Sequence, residues 1–199
     1  MRYPCCSSYP PHEATVYFCS SNEHKHADVE RVFAGSSRRI GKLRHATAEL
    51  LSLDLDQVVK AKDLEAYRRA MVPLFVEHGG LFIDHWDRLP GPLVKPFWET
   101  LGERICTMFP EGASRRAHVR QVVCHCDGKS LVLHEGRVEG RIAEAPRGTA
   151  GFHWDPLFIP DGQAPGDEKT LAEMGDAEKL DWVGSGVAYR KLRAALEGR

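Results

Sequence analysis

No apolar run in the sequence approaches the ~20 residues that a membrane-crossing helix needs, so a helical membrane protein is excluded. The first residues, MRYPCCSSYPPHEA, lack the apolar core of a secretory signal. The chain also lacks a surplus of either charge: 27 Lys and Arg stand against 28 Asp and Glu, a formal net charge of -1. That balance gives no reason to expect a nucleic acid or an anionic membrane surface as partner, although one phosphorylated small molecule needs only local positive charge. Fixed-period repeats and low-complexity tracts are absent as well. Six cysteines in 199 residues are too few for a disulfide-stapled scaffold, and a reducing cytoplasm is the expected location.

Zinc-finger spacing is missing too. Cys124-His125-Cys126 with His134 offers soft ligands, but QVVCHCDGKSLVLHEG reads as a hairpin turning at Asp127-Gly128. On a strand Cys124 and Cys126 share one face while His125 points the other way, and no second ligand pair follows. Packing, not metal binding, is expected of them.

What is present suits a soluble globular domain, with 42% hydrophobic and 28% charged residues. Residues 1–14, rich in Pro, Ser and Cys, read as a loose leader, and 15–199 as one α/β domain. ATVYFC is a short β-branched and aromatic strand; Ser20, Ser21 and Asn22 follow as helix-capping types, and a charged helix carries Val29, Val32 and Phe33 at helical spacing. Strand, polar loop and helix in that order place backbone N–H groups at the strand's carboxyl end, a corner suited to phosphate, with Lys25 in the first turn. LDLDQVVKAKDLEAYRRAM is the clearest helix, with Leu55, Val58, Val59 and Ala66 on one side. LFVEHGGLFID reads as a strand, a Gly-Gly break that bends the chain, and a second short strand. Pro90-Gly91-Pro92 forces a turn before an aromatic helix. HVRQVVCHCDGKSLVLHEGRVEGRIAEA suggests three antiparallel strands, turning at Asp127-Gly128 and near Glu135-Gly136. GFHWDPLFIPDG is too irregular for a core strand, and the C-terminal segment is helical at both ends with Gly184 and Gly186 interrupting it. Strands alternating with helices, plus an antiparallel stretch, argue for an α/β fold with a mixed sheet.

Five segments in this order resemble the inosine triphosphate pyrophosphatase family: SSNEHK (20–25), ELLSLDLDQVVKAK (49–62), LFVEHGGLFID (74–84), LPGPLVKPFWETLG (89–102) and GRIAEAPRGTAGFHWDPLFIPDG (140–162) with TLAEM and EK beyond. The resemblance implies an elongated mixed sheet flanked by helices, in two lobes around a central nucleotide cleft. It implies hydrolysis of a non-standard or modified purine nucleoside triphosphate, such as ITP, dITP or XTP, to monophosphate and pyrophosphate. Water then attacks a phosphorus of a highly charged chain, which calls for a divalent cation, lysines and a group that orients or deprotonates the water. By position, the resemblance assigns Glu49 and Glu77 to Mg²⁺, with Mn²⁺ as an alternative, and Ser20, Asn22, Lys25, Lys62 and Lys95 to the phosphates. Phe152 and Trp154 would stack on the purine, Asp155 would accept from a ring N–H, and Lys179 would donate to a 6-oxo group. A cytoplasmic homodimer is implied as well.

Three departures qualify the resemblance. His78 stands where the family has a second carboxylate; an imidazole is a poor Mg²⁺ ligand but a competent base near neutral pH, so His78, Glu77 and Lys62 are the expected catalytic group. Val183-Gly184-Ser185 stands where the family carries Ser-His-Arg against the base, which implies altered base specificity. His153 stands where a Gly is usual. An alternative expectation is a catalytically impaired relative that binds nucleotide without turnover.

Overall fold

The computed structural model describes residues 16–151 and 153–198; the expected leader at 1–14 lies outside them. Strand β1 (Val16–Cys19) is wholly buried, and the chain leaves it into helix α1 (Glu23–Phe33). Asn22 caps that helix, its Oδ1 accepting from the His24 N–H at 2.9 Å. Strand β2 (Ile40–Leu43) follows, then α2 (Leu55–Ala70), capped by the Asp54 side chain and ended by Met71 in the left-handed region. Strand β3 (Leu74–Ile83) is buried along its whole length, the short β4 (Pro90–Gly91) leads into α3 (Val94–Leu101), and β5 (Arg116–Cys126) and β6 (Leu131–Ile142) form a long hairpin. β7 (Phe158–Pro160), α4 (Asp176–Trp182) and α5 (Gly184–Leu196) complete the chain. No helix of the described residues is long and apolar enough to cross a membrane.

Seven strands make one mixed sheet in the order β2-β1-β3-β5-β6-β7, with β4 also on β3. The β1–β2 and β1–β3 pairs are parallel and the remaining pairs antiparallel. Because side chains alternate along β3, Phe75, Leu81 and Ile83 join α1 and α5 in one core. Leu74, Val76 and Phe82 pack on the other face with Leu55, Val59 and Ala66 of α2.

One detail of this sheet makes the cleft. β5 pairs with β3 over the whole of Leu74–Ile83. On the opposite edge β1 reaches only Leu74 and Phe75, and β4 only Leu81 and Phe82. Among the described residues, positions 76–80 of β3 therefore meet no strand on that edge, and the sheet opens where β1 ends. Ligand crevices of α/β sheets characteristically lie at such openings, outside the carboxyl ends of parallel strands.

Four expectations are corrected. LFVEHGGLFID does not bend at its glycines; β3 runs straight through them, because both positions are needed for close approach. A Cβ on Gly79 would meet Gln121 Cγ at 2.9 Å, and one on Gly80 the Gly91 carbonyl at 2.9 Å. Glu135-Gly136 is not a turn either: Gly136 lies within β6, where a Cβ would run into the Gly184 carbonyl of α5, so the three expected strands are two long ones. Gly184 and Gly186 do not interrupt the C-terminal helix but form its first turn, and the break falls at Val183. Phe158–Pro160, within the segment expected to be too irregular for a core strand, forms a short edge strand on β6.

Candidate active site

A cavity of about 410 Å³ occupies the opening beside β3. Ser20, Asn22, Lys25, Glu49, Lys62, Glu77, His78, Lys95, Trp154, Asp155 and Lys179 all line it. Every candidate residue named from the sequence is thus in one cleft, except Phe152, which lies outside the described residues.

The opening brings together two residues that strand geometry sends apart. Glu77 points to the α1–α5 face and His78 to the α2 face, yet the missing strand lets both reach the cavity. Glu77 forms an ion pair with Lys25 of α1 at 2.5 Å. The paired oxygen, Oε2, is fully buried.

His78 is held from both sides. Its Nε2 lies 3.2 Å from the Pro92 carbonyl and its Nδ1 3.4 Å from Lys62 Nζ. A carbonyl can only accept and an ammonium can only donate, so these partners assign the proton to Nε2 and the lone pair to Nδ1. Burial, followed by the nearby Lys62 and Lys25 charges, pushes the His78 ring down to about 4. The ring is neutral at physiological pH and a weaker base than an imidazole titrating near neutrality, the value expected from sequence.

Lys62 also donates to Glu49 Oε1 at 3.1 Å. Burial and then the Lys25 charge lower its own pKa, with Glu49 working the other way. Burial tends to raise Glu49, but Lys62 and His78 outweigh it and hold the carboxyl below its ordinary range. Lys95 stands more openly at the mouth, with Glu99 4.0 Å away. Asn22 lines the cavity, but its Oδ1 is engaged in capping α1. Lys179 Nζ donates to Asp155 Oδ2 at 2.9 Å, so the two base-reading candidates form a buried pair.

Sequence reasoning missed Asp28, Gln121, Ser185 and Tyr189, which also line the cleft. Asp28 follows Lys25 by three residues on α1, a spacing that could have revealed it. Gln121 enters because it faces Gly79 across the β3–β5 ladder, and Tyr189 because α5 packs on that face; neither has a sequence signal. The Gln121 Oε1 and the Tyr189 hydroxyl are both buried without hydrogen-bond partners.

The oxygen donors fit a hard divalent cation. Glu77 supplies a buried carboxylate whose Oε2 is paired with Lys25, and Glu49 supplies a second carboxylate. Among the described residues no group of three or more His, Cys, Asp or Glu side chains converges as a closed metal cage. Mg²⁺ needs none, since it ordinarily keeps several waters and takes one or two carboxylates together with substrate phosphates.

The site is an α/β sheet opened beside a carboxylate–lysine cluster, with a tryptophan and a buried Asp–Lys pair lining the same cavity. Residues 16–195 match the model of the Ham1 family, and the chain belongs to that family. It is 31% identical over 178 residues to a dITP/XTP pyrophosphatase of Hyperthermus butylicus, covering 89% of this chain and 92% of that one. It is 36% identical over 174 residues to inosine triphosphate pyrophosphatase 1 of Trypanosoma cruzi, covering 82% and 83%. The fold matches that of a HAM1 protein from Coxiella burnetii at a TM-score of 0.74 and 20% identity, covering 94% of this chain and all of the other.

Proposed function

We propose that the protein is a nucleoside triphosphate pyrophosphatase, acting on a non-standard or modified purine triphosphate of the ITP, dITP or XTP kind and releasing the monophosphate and pyrophosphate. The observation that carries this reading is the convergence of Glu49, Glu77, Lys25, Lys62 and Lys95 in the same cleft as Trp154, Asp155 and Lys179. The names borne by relatives of similar length support it.

In this reading Glu49 and Glu77 hold Mg²⁺, with Mn²⁺ as the alternative. The ion, when bound, neutralises phosphate oxygens that the lysines leave uncovered. Lys25, Lys62 and Lys95 bind and orient the polyphosphate, and the Ser20–Asn22 loop offers it polar groups at the start of α1. Lys62 turns from His78 and Glu49 to the phosphates, which frees the Nδ1 lone pair of His78. Water attacks the α-phosphorus, the bond to the pyrophosphate oxygen breaks, and the water's proton passes to Nδ1. Trp154 stacks on the base, while Asp155 and Lys179 exchange part of their mutual contact for the ring N–H and the 6-oxo group.

Base specificity in this reading differs from that of the family, because α5 begins Gly184-Ser185-Gly186 and presents neither His nor Arg there. The small first turn, together with Gln121 reaching toward Gly184, supports a reshaped base end. The family resemblance supports a cytoplasmic homodimer, which sedimentation of the purified chain checks. The main test is a panel of purine triphosphates, ordinary and deaminated, incubated with the protein and Mg²⁺ or Mn²⁺. Release of pyrophosphate from a 6-oxo purine is expected, and no release from any member would sink the reading.

A further inference from the structure

His153 adopts a backbone conformation that its position makes hard to explain as packing. Four non-glycine residues among those described have positive φ: Met71, Asp87, Arg88 and His153. Met71 and Asp87 end helical turns, and Arg88 continues the second of these. His153, with φ of 53°, ends no helix; it lies in the loop between β6 and β7. Histidine is one of the few residue types that tolerate this region, but glycine does so without steric penalty. A side chain retained in a strained conformation directs attention to what that side chain reaches.

The imidazole lines the cleft. Its ring lies 5.8 Å from Trp154 on the base side and 6.4 Å from Trp98 on α3, the helix that also carries Lys95. It therefore stands between the phosphate lysines and the base loop. The charged groups around it are Lys25 of α1, Lys95 and Glu99 of α3, and Asp155 of its own loop. Burial, then Lys25, holds the ring below its ordinary value of 6.5; Lys95 acts in the same sense, and Asp155 and Glu99 oppose them.

We propose that His153 is a ligand-binding residue that becomes a further cation of the cleft when a nucleoside triphosphate enters, meeting the chain of phosphates where it joins the sugar and base. This rests on the function proposed above. An incoming polyanion offsets the Lys25 and Lys95 charges that disfavour the protonated ring, so binding draws a proton onto it. Affinity then strengthens as pH falls through the ring's range, because the complex binds more protons than the free protein does.

The test is calorimetric titration of the full chain with the α,β-imido analogue of ITP, which resists cleavage, in the presence of Mg²⁺. Buffers of different ionisation enthalpy report protons taken up, and the parent is compared with His153→Asn and His153→Gly. Both substitutions suit a left-handed backbone, so their melting temperatures should match or exceed the parent's. At about pH 6 the parent should bind roughly fivefold tighter than either variant and take up more protons, with the gap closing near pH 8. The analogue's own titration is common to all three proteins and cancels. Equal proton uptake and equal affinity ratios in parent and variants would overturn the proposal. A parent that binds the analogue with this proton linkage, yet releases no pyrophosphate from ITP, supports His153 and overturns the hydrolytic reading. Failure of the parent to bind the analogue at either pH overturns both.

Discussion

Glu77 and Asp63 are both buried carboxylates, 5% and 0% exposed, and they occupy contrasting regions of the molecule. Glu77 lies where the sheet opens, with the Lys25 ammonium against it and a cavity beyond. Asp63 projects from α2 into the closed layer over β5. Neither of its oxygens has a well-aligned hydrogen-bond partner; burial raises its pKa to about 7, against the opposing pull of the nearby Cys124 and Cys126 thiols. The lesson is that burial alone does not mark a site. An opening in the sheet and an adjacent cation place one buried carboxylate at a cavity, while the other is enclosed in the core with a raised pKa. Lys62 and Asp63 are adjacent in sequence, yet α2 presents one to the cleft and the other to the thiols.

That contrast can be broken by experiment. The largest effect is expected at Glu77: Glu77→Gln should lower kcat/KM for pyrophosphate release by roughly 10²–10³-fold while the protein stays folded, the scale of losing a charge placed for the transition state. A decrease of less than about tenfold would remove Glu77 from the proposed machinery. Next comes Asp63→Asn, which should raise stability at pH 8 by about 2 kcal/mol in urea unfolding. The sign follows from a folded pKa of about 7 above the ordinary 3.8. The penalty is absent below about 3.8, grows as pH rises, and is complete above about 7, so the variant should gain little at pH 4. A parent no less stable at pH 8 than at pH 6, relative to this variant, would show that Asp63 is solvated.

A smaller effect is expected from His78→Asp, which puts a carboxylate beside Lys62 and should raise Mg²⁺-dependent turnover roughly tenfold. An unchanged or lower rate would mean that a carboxylate cannot replace the neutral ring whose Nδ1 faces Lys62. The smallest effect is expected at the surface. Lys95 and Glu99 are 4.0 Å apart and more than half exposed, so Glu99→Ala should change stability by less than about 0.5 kcal/mol.

Much of the local architecture was legible in the residues. The β1–loop–α1 corner followed from a short apolar strand and an Asn cap, α2 from its helical spacing, and the Asp127 turn from its side chain, which accepts from the Lys129 and Ser130 N–H groups. The cleft residues were found by resemblance, segment by segment, and the structure brings all the described ones together. The glycine-rich segments were misread, because a glycine that permits a bend and one that admits a neighbouring backbone look alike in sequence. Gly80 makes room for Gly91, and Gly136 for Gly184, each partner arriving from a distant part of the chain.

The sequence by itself determined which stretches form strands and helices, and which residue types are available for phosphate and base, since capping, periodicity and side-chain chemistry act over a few residues. Only the tertiary structure decided that β1 and β4 stop short of each other along β3. Only that gap lets Glu77 and His78, on opposite faces of one strand, share a cavity. It also decided that His78 is neutral, because burial and two lysines converge on it from separate helices. Strand register, sheet edges and the field around a buried ring arise from contacts between residues far apart in the chain, so no short stretch of sequence carries them.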